Sequence, residues 1–339
     1  MDEAESRSAL HDTGTGLASP LGLTAPINPD EQLATRAAWL YFVAGLTQVQ
    51  IGKQLGVNRT RVNRLLAQAR DQGLVQINIT GRLASCVELE EKLKRHFGLE
   101  DATVVPTPPD QAQIPQVIAT AAAAVLSERL KDGMSVGVGW GRTLRLSIQS
   151  VPRRQLSRLS VVSLLGGLTR GSAMNPHETA SHLADLVGAQ CYYVAAPALT
   201  DTESTRNLLM TQPMLREIFE RGEKVDLAFL SVGELTQNCT MTRVGLVSRA
   251  EVDDLITAGA VGDICAHWVD DKGRLVDHPL NSRVVALSPE KLKNIPCVVI
   301  ASGGRTKSAA LRGVLKSGMC DVVITDELTA KAILAMEAK

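Results

Sequence analysis

From residue 101 onward, short apolar runs rich in β-branched residues alternate with helical stretches. "DATVVP" is followed by "PQVIATAAAAVLSERL", "MSVGVG" by "TLRLSIQSV", "LSVVSLLGG" by "NPHETASHLADLVG", and "AQCYYVAAP" by "STRNLLMTQPMLREIFERG". The series continues through "VDLAFLSVG", "SRAEVDDLITAG", "RVVALS", "PCVVIASGG", "RTKSAALRGVLKSG", "CDVVITD" and "ELTAKAILAM". Strands that are apolar throughout need cover on both faces, and parallel strands need crossover helices to bring the chain back. The pattern therefore predicts an α/β fold, a mostly parallel sheet with helices on both faces. With domains averaging about 150 residues, a chain of 339 residues has room for a second domain, and the residues before 101 have a different character.

Net charge is zero over the chain, yet residues 31–82 hold Arg36, Lys53, Arg59, Arg61, Arg64, Arg70 and Arg82 against only Glu31 and Asp71. A basic segment on an acidic body suits a module that touches a polyanion, although on charge alone a solvated helix face is the stronger reading. Residues 1–30 are rich in Ser, Thr, Gly, Pro and Asp and read as a flexible tail. "QLATRAAWLYFVAGL" places Leu33, Ala37, Leu40, Tyr41 and Ala44 on one helical face, with Gly45 as the stop. Thr47 then caps "QVQIGKQL", which Gly56 ends, and Asn58 caps "RTRVNRLLAQARDQG", which Gly73 ends. "LVQINI" at 74–79 alternates like one arm of a wing.

Within 48–69, Ile51, Leu55, Val57, Val62 and Leu65 fall at the spacing that packs two helices across a glycine turn, the helix-turn-helix. Gly52 takes the position near the crossing that must be small, at about 1 kcal/mol of helix propensity relative to Ala. The outward face of the second helix carries Arg59, Thr60, Arg61, Asn63 and Arg64. Arg suits phosphates and guanine edges, and Asn suits adenine. Thr47, Gln48 and Gln50 on the first helix are placed for backbone phosphates, and Asn58 begins the second. The competing reading, an ordinary charged hairpin, lacks a reason for the spacing, both caps and the basic face together. A helix near "VELEEKLKRHF" follows, with Val87, Leu89 and Leu93 near one face; it pairs either with a partner chain or with its own body. The resulting organisation is a tail at 1–30, a winged-helix-like helix-turn-helix domain at 31–84, a linker helix at 85–100 and the α/β domain at 101–339.

In an open parallel sheet, ligands bind at the carboxyl ends of strands. Four such ends carry glycine or small polar residues: "GVGWGRT" (137–143), "LLGGLTRG" (164–171), "FLSVGE" (229–234) and "ASGGRTKS" (301–308). Glycine lets backbone N–H groups approach an anion, and a following helix adds its dipole. In "GVGWGRT" the third glycine is one residue early for a dinucleotide fingerprint, and no G-K-[S/T] follows, so a nucleotide loop is disfavoured. Gly139, Trp140, Gly141, Arg142 and Thr143 then form either a loop for one phosphate or a tight turn. Gly166 and Gly167 sit at the next strand end. Lys307 follows "SGG" on a helix start, where a cation opposes the dipole unless an anionic ligand is present. Arg243 in "TMTRVG" suits a second anionic group. Asp263 in "VGDICAHW" either hydrogen-bonds ligand hydroxyls or caps. His177 and His182 are five apart, against the three or four of a helical metal pair. Asn175 and Glu178 instead suit a capping box. No cofactor and no catalytic constellation is expected.

The cysteines, Cys86, Cys191, Cys239, Cys265, Cys297 and Cys320, are widely spaced in apolar runs, as free thiols in a reducing cytosol would be. No signal peptide is visible, and the longest apolar runs fall far short of a membrane span.

A helix-turn-helix followed by "VGVGWGRTL", "SLLGGLTRGS", "GDICAHWVDDKGR" and "ASGGRTKSAALRGVLKSGMCDVVITDE" resembles the SorC family of sugar-responsive bacterial transcriptional regulators. The likeness runs from about residue 35 to the end. It implies a C-terminal domain similar to phosphosugar isomerases and glucosamine-phosphate deaminases that binds a phosphorylated sugar or polyol without turning it over. It further implies Gly141, Arg142 and Thr143 in a phosphate loop, Lys307 reaching the ligand, and Glu178, Arg243 and Asp263 lining the pocket. A homo-oligomer, tetramer or dimer, on paired sites of double-stranded operator DNA is implied as well. "TRVNRLL" is similar to polyol regulators of the family, and Trp140 with Arg142 departs from members that place small hydroxylated residues there. The expectation is a cytoplasmic transcriptional regulator of a sugar or polyol operon. The alternatives are a sugar-phosphate isomerase or deaminase with an accessory DNA-binding module, and a nucleotide-sensing regulator.

Overall fold

The computed structural model describes residues 29–72, 74–75, 84–168 and 175–338. The chain divides into two compact units, Met1–Thr80 and Gly81–Lys339. In the first, α1 (Pro29–Phe42), α2 (Gln48–Leu55) and α3 (Arg59–Asp71) pack around Ala34, Ala37, Leu40, Ile51, Val62 and Leu65. Tyr41 and Ala44, placed on the inner face of α1 by periodicity, are exposed, and Ala34 and Ala38 are buried instead. The expected tail (up to residue 28), Gly73 and residues 76–79 of the expected wing strand lie outside the described residues.

The second unit begins with α4 (Ala84–Phe97) and continues with β1 (Asp101–Val105), α5 (Ile114–Arg129), β2 (Ser135–Val138), α6 (Arg142–Gln149), β3 (Ser160–Gly167), α7 (Pro176–Val187) and β4 (Gln190–Pro197). Then come α8 (Glu203–Met210), α9 (Pro213–Gly222), β5 (Leu227–Leu230), β6 (Val232–Glu234), α10 (Thr240–Arg243), α11 (Arg249–Thr257), β7 (Gly262–Ile264) and β8 (His267–Val269). The chain closes with α12 (Pro289–Leu292), β9 (Val298–Ala301), α13 (Ser308–Lys316), β10 (Val322–Asp326) and α14 (Glu327–Glu337).

Seven strands form one parallel sheet in the order β1-β10-β9-β5-β2-β3-β4. Successive residues of the central strands feed opposite faces, as the strand period requires. Leu227 and Phe229 of β5 join a core with α5, α6 and α7. Ala228 and Leu230 join the other face, with α4, α9, α11, α13 and α14. Helix α4 therefore packs on its own unit, against β1 and α14, through Cys86, Leu89 and Leu93, and leaves Val87 exposed.

Four local expectations change. Pro213 has no N–H to continue a helix, so "STRNLLMTQPMLREIFERG" splits into α8 and α9. "RVVALS" makes only isolated antiparallel bridges, Leu165 to Ala286 and Leu199 to Val284, and is no strand of the sheet. Asn175 caps α7 by accepting from the His177 N–H, without the expected reciprocal bond from Glu178. Finally, β6, β7 and β8 form a small antiparallel sheet that the alternation pattern does not reveal, since three-residue strands are too short to show a period.

Candidate functional site

In the N-terminal unit, the turn between α2 and α3 is set by the caps on either side of it. Thr47 Oγ1 accepts from the Gln50 N–H, and Gln50 Oε1 accepts from the Thr47 N–H at 2.9 Å, a full capping box. Gly56 leaves α2 at φ +66°, in the left-handed region. Asn58 Oδ1 accepts from the Arg61 N–H at 2.8 Å. A Cβ at Gly52 would lie 2.6 Å from the Val57 carbonyl oxygen, so no larger residue fits the crossing. Thr47, Gln50 and Asn58 thus serve the helix ends.

The outward face of α3 presents Arg59, Thr60, Asn63 and Arg64, all exposed. Arg59 Nε donates to Gln48 Oε1 at 3.2 Å, which orients that guanidinium over the start of α2. Arg61 is half-buried and pairs with Asp30 at 2.7 Å, so it faces α1 as much as solvent. What remains is a compact basic face with one amide at its centre, suited to phosphates and base edges.

In the larger unit, the chain reverses its direction of travel between β2 and β5. From β2 it proceeds to β3 and β4 on one side; from β5 it proceeds to β9 and β10 on the other. Loops leaving the carboxyl ends of two such strands diverge and open a crevice. A cavity of about 400 Å³, mouth included, lies there. Its walls are Trp140, Gly141 and Arg142 after β2, Ser231, Val232 and Gly233 after β5, and Thr240, Asp263 and Lys307. It continues past Arg142, Thr240 and Lys307 to Glu234, Arg243, Gly304 and Thr306.

Two of these loops expose helix starts without side-chain caps. Gly141, at φ +116°, precedes α6, and Gly304, at φ +98°, precedes the 3-10 turn Arg305–Lys307. Their first N–H groups have no intrahelical partner and suit an anion. Arg142, Arg243 and Lys307 supply positive charge beside them. Thr306 Oγ1 donates to Glu234 Oε2, which ties the 3-10 turn to β6.

Asp263, 5% exposed, is the buried acid of the cavity. Burial pushes its carboxyl up to about 6, against the opposing pull of Lys307 and the Ala266 N–H. Burial also draws the Lys307 ammonium below the usual lysine value; Glu234 and Asp263 oppose that shift and Arg243 adds to it. The hairpin carrying Asp263 turns through Cys265 and Ala266, both at positive φ (47° and 63°) without being glycine. Such residues persist only where their surroundings hold them, and here both are buried. The cavity therefore offers cations and free N–H groups for an anionic group and Asp263 and Glu234 for hydroxyls.

Residues 81–335 match the family described as "Putative sugar-binding domain", and residues 39–72 match "Sigma-70, region 4". The chain is 33% identical to the erythritol catabolism regulatory protein EryD of Brucella abortus, over 90% of this chain and 97% of that protein. It is 30% identical to the deoxyribonucleoside regulator of Bacillus subtilis, over 90% of this chain and 97% of that protein. The crystal structure of the full-length sorbitol operon regulator SorC of Klebsiella pneumoniae superposes with a TM-score of 0.71 at 27% identity, covering 91% of this chain and 100% of that one.

The chain belongs to the SorC family of sugar-responsive transcriptional regulators.

As in its SorC-family relatives, a helix-turn-helix unit precedes a sugar-binding domain, and the chain is a DNA-binding transcriptional regulator, not an enzyme. Among the described residues, no helix is long and apolar enough to cross a membrane.

Of the residues singled out in the sequence, the structure of this SorC-family chain brings Trp140, Gly141, Arg142, Arg243, Asp263 and Lys307 to one cavity. Arg243 does so from the short helix α10, not from a loop. Thr143 is buried in the first turn of α6, where its carbonyl accepts from Ser147. At Gly139 a Cβ would press on the Leu230 side chain at 3.1 Å, and at Gly166 it has no room against the carbonyls of Ala196 and Pro197. The space beside Gly167 is filled by the His177 ring. These three glycines allow close packing and do not line the cavity. Glu178 lines a separate hollow between α6 and α7, with Arg145, Gln149 and His182. The remainder of "LLGGLTRG", residues 169–171, lies outside the described residues. Sequence reasoning missed Ser231, Gly233, Glu234 and Thr240 and gave Thr306 no role of its own beside Lys307. The first three lie in "FLSVGE" and Thr306 in "ASGGRTKS", recognised as strand ends but not resolved to residues; Thr240 opens "TMTRVG", where only Arg243 was singled out.

Proposed function

We propose that this regulator binds a small phosphorylated sugar or polyol in the cavity between β2 and β5, and that the bound ligand changes its affinity for an operator. The observation that carries this is the placing of Arg142, Arg243 and Lys307 beside two uncapped helix starts, in a cavity that also presents Asp263 and Glu234. A phosphate suits the cations and N–H groups; hydroxyls suit the carboxylates. The name of EryD supports a four-carbon polyol, while the names of the other relatives point to deoxyribonucleoside and sorbitol operons. Arg59, Thr60, Asn63 and Arg64 contact double-stranded DNA, with Gln48 and Arg61 as supports. The chain works in the cytoplasm as a homo-oligomer, dimer or tetramer, because paired operator half-sites need paired reading helices.

The test is anisotropy with a labelled fragment of the chain's own promoter region. Titrations are run alone and with erythritol 4-phosphate, deoxyribose 5-phosphate, glucitol 6-phosphate and each unphosphorylated parent. A phosphate ester that changes operator affinity several-fold, with no effect of its parent, supports the reading. Response to a parent polyol alone overturns the phosphate assignment, and absence of sequence-specific binding overturns the operator assignment.

A further inference from the structure

Asp326, the last residue of β10, is fully buried beside the cavity loop. Its Oδ1 accepts from the Gly304 N–H at 2.9 Å and from Thr329 Oγ1 at 2.5 Å. Its Oδ2 accepts from Thr107 Oγ1 at 2.8 Å and from the Thr329 N–H at 3.3 Å. The Gly304 N–H also reaches Thr329 Oγ1 at 2.8 Å. A Cβ at Gly303 would fall 2.4 Å from Asp326 Oδ1, so the loop lies directly on the carboxylate. One buried acid thus holds the loop that presents Lys307 and caps α14 at the same time.

Helix α14 is fastened to α4 at both ends. Ser85 Oγ donates to Glu327 Oε1 at 3.1 Å, in the first turn of each helix. At the far ends, His96 Nε2 lies 2.9 Å from Glu337 Oε2. Glu337 is further held by Arg312 and Lys316. The two helices run parallel and are pinned at two points. The first turn of α4, at Ala84, stands four residues after Thr80, where the DNA-binding unit ends.

We propose that Asp326 positions the ligand loop, and that the α14–α4 pair fastened by Ser85 and Glu327 transmits the ligand-bound state of that loop to the chain segment joining the DNA-binding unit. This rests on the reading of the β2–β5 cavity as the effector pocket. It assigns a coupling role to residues that touch neither ligand nor DNA. Coupling between sites is a ratio of affinities and is separable from either affinity alone.

The experiment uses the full chain and erythritol 4-phosphate as the probe. If calorimetry with the unaltered protein shows no heat, deoxyribose 5-phosphate and then glucitol 6-phosphate replace it. Ligand affinity is read by calorimetry, and operator affinity by anisotropy with and without saturating ligand, for Ser85→Ala, Glu327→Ala, the double variant and Asp326→Asn. Ser85→Ala, which removes the donor, and Glu327→Ala, which removes the acceptor, are expected to keep ligand affinity within about twofold while the ligand-induced change in operator affinity falls by about threefold or more. The double variant is expected to fall no further than either single one, because each already removes the same bond. Asp326→Asn is expected to weaken ligand binding as well; Thr107→Val, which removes one donor to the same carboxylate, serves if that variant does not fold. If Ser85→Ala and Glu327→Ala bind ligand and retain the full operator response, the coupling route is wrong. If the unaltered protein binds none of the three probes, or binds one with no change in operator affinity, the effector reading fails and the route with it.

Discussion

Gly233 and Asp263 stand opposite each other across the antiparallel pair β6–β7, and the Asp263 carboxylate occupies the space a side chain at 233 would need. A Cβ at that position would lie 1.8 Å from Oδ1. Gly233→Ala is therefore expected to push the acid out of its seat. Ligand affinity by calorimetry should fall by at least about tenfold, the loss of one or more charge-assisted hydrogen bonds. Operator binding without ligand should persist, since the helix-turn-helix packs on its own core. Unchanged ligand affinity in Gly233→Ala would remove Asp263 from the site.

The same acid has a signature in stability. Its folded value near 6 lies above its ordinary 3.8, so between about pH 4 and 6 the folded chain binds more protons than the unfolded one. Stability from this group is complete at low pH and is lost as pH rises through that window, by up to about 3 kcal/mol. Buried His267 acts in the opposite sense: burial lowers it to about 4, so its contribution grows as pH rises toward 6.5. The two offset each other in the intact chain. Asp263→Asn should expose the histidine's slope, with the Tm advantage of the variant widening from pH 4 to 6 and then levelling. A constant difference across that range, by differential scanning fluorimetry, counts against a buried carboxylate with a raised value.

On the reading face, Arg64 is exposed and makes no ion pair among the described residues, while Arg61 is engaged with Asp30. Arg64→Ala should weaken operator binding and lower the slope of log affinity against log salt by about 1, as removal of one cation facing a phosphate does. Arg61→Ala should lower it less. Equal slopes for both variants, from anisotropy at several salt concentrations, would contradict this division of roles between the two arginines.

Caps and DNA contacts should separate by experiment. Asn58→Ala removes the acceptor for the Arg61 N–H and is expected to cost about 1 kcal/mol of stability in the N-terminal unit. Asn63→Ala should leave stability within about 0.5 kcal/mol and instead relax base preference. Denaturant titration and binding to a set of operator variants distinguish the two outcomes.

Much of this was legible before the structure. The caps Thr47 and Asn58, the Gly56 turn and the Gly52 crossing are local, and local geometry is written in neighbouring residues. The parallel sheet was legible because runs such as "AFL" and "VVIA" are apolar at every position, as strands buried on both faces must be. The cavity was half legible. Its glycine loops mark strand ends, but strand order decides which ends converge, and order depends on residues far apart in sequence. Gly166 and Gly167 look like ligand-loop glycines yet pack against Pro197 and His177. Glu178 lies on α7, across β3 from the switch point, and so reaches a different hollow. The three-residue strands of the small sheet carry no period, so the seat of Asp263 opposite Gly233 was invisible.

The most direct test is the operator response of Lys307→Met, which keeps most of the unbranched stem of the side chain and removes its charge from the cavity wall. Anisotropy is measured with the promoter fragment, with and without the probe that shifts the unaltered protein. Operator affinity without ligand is expected to stay within about twofold of the unaltered protein, with loss of most of the ligand response at concentrations that saturate it. A Lys307→Met variant that keeps the full response at the same ligand concentration would show that this cavity does not govern DNA binding.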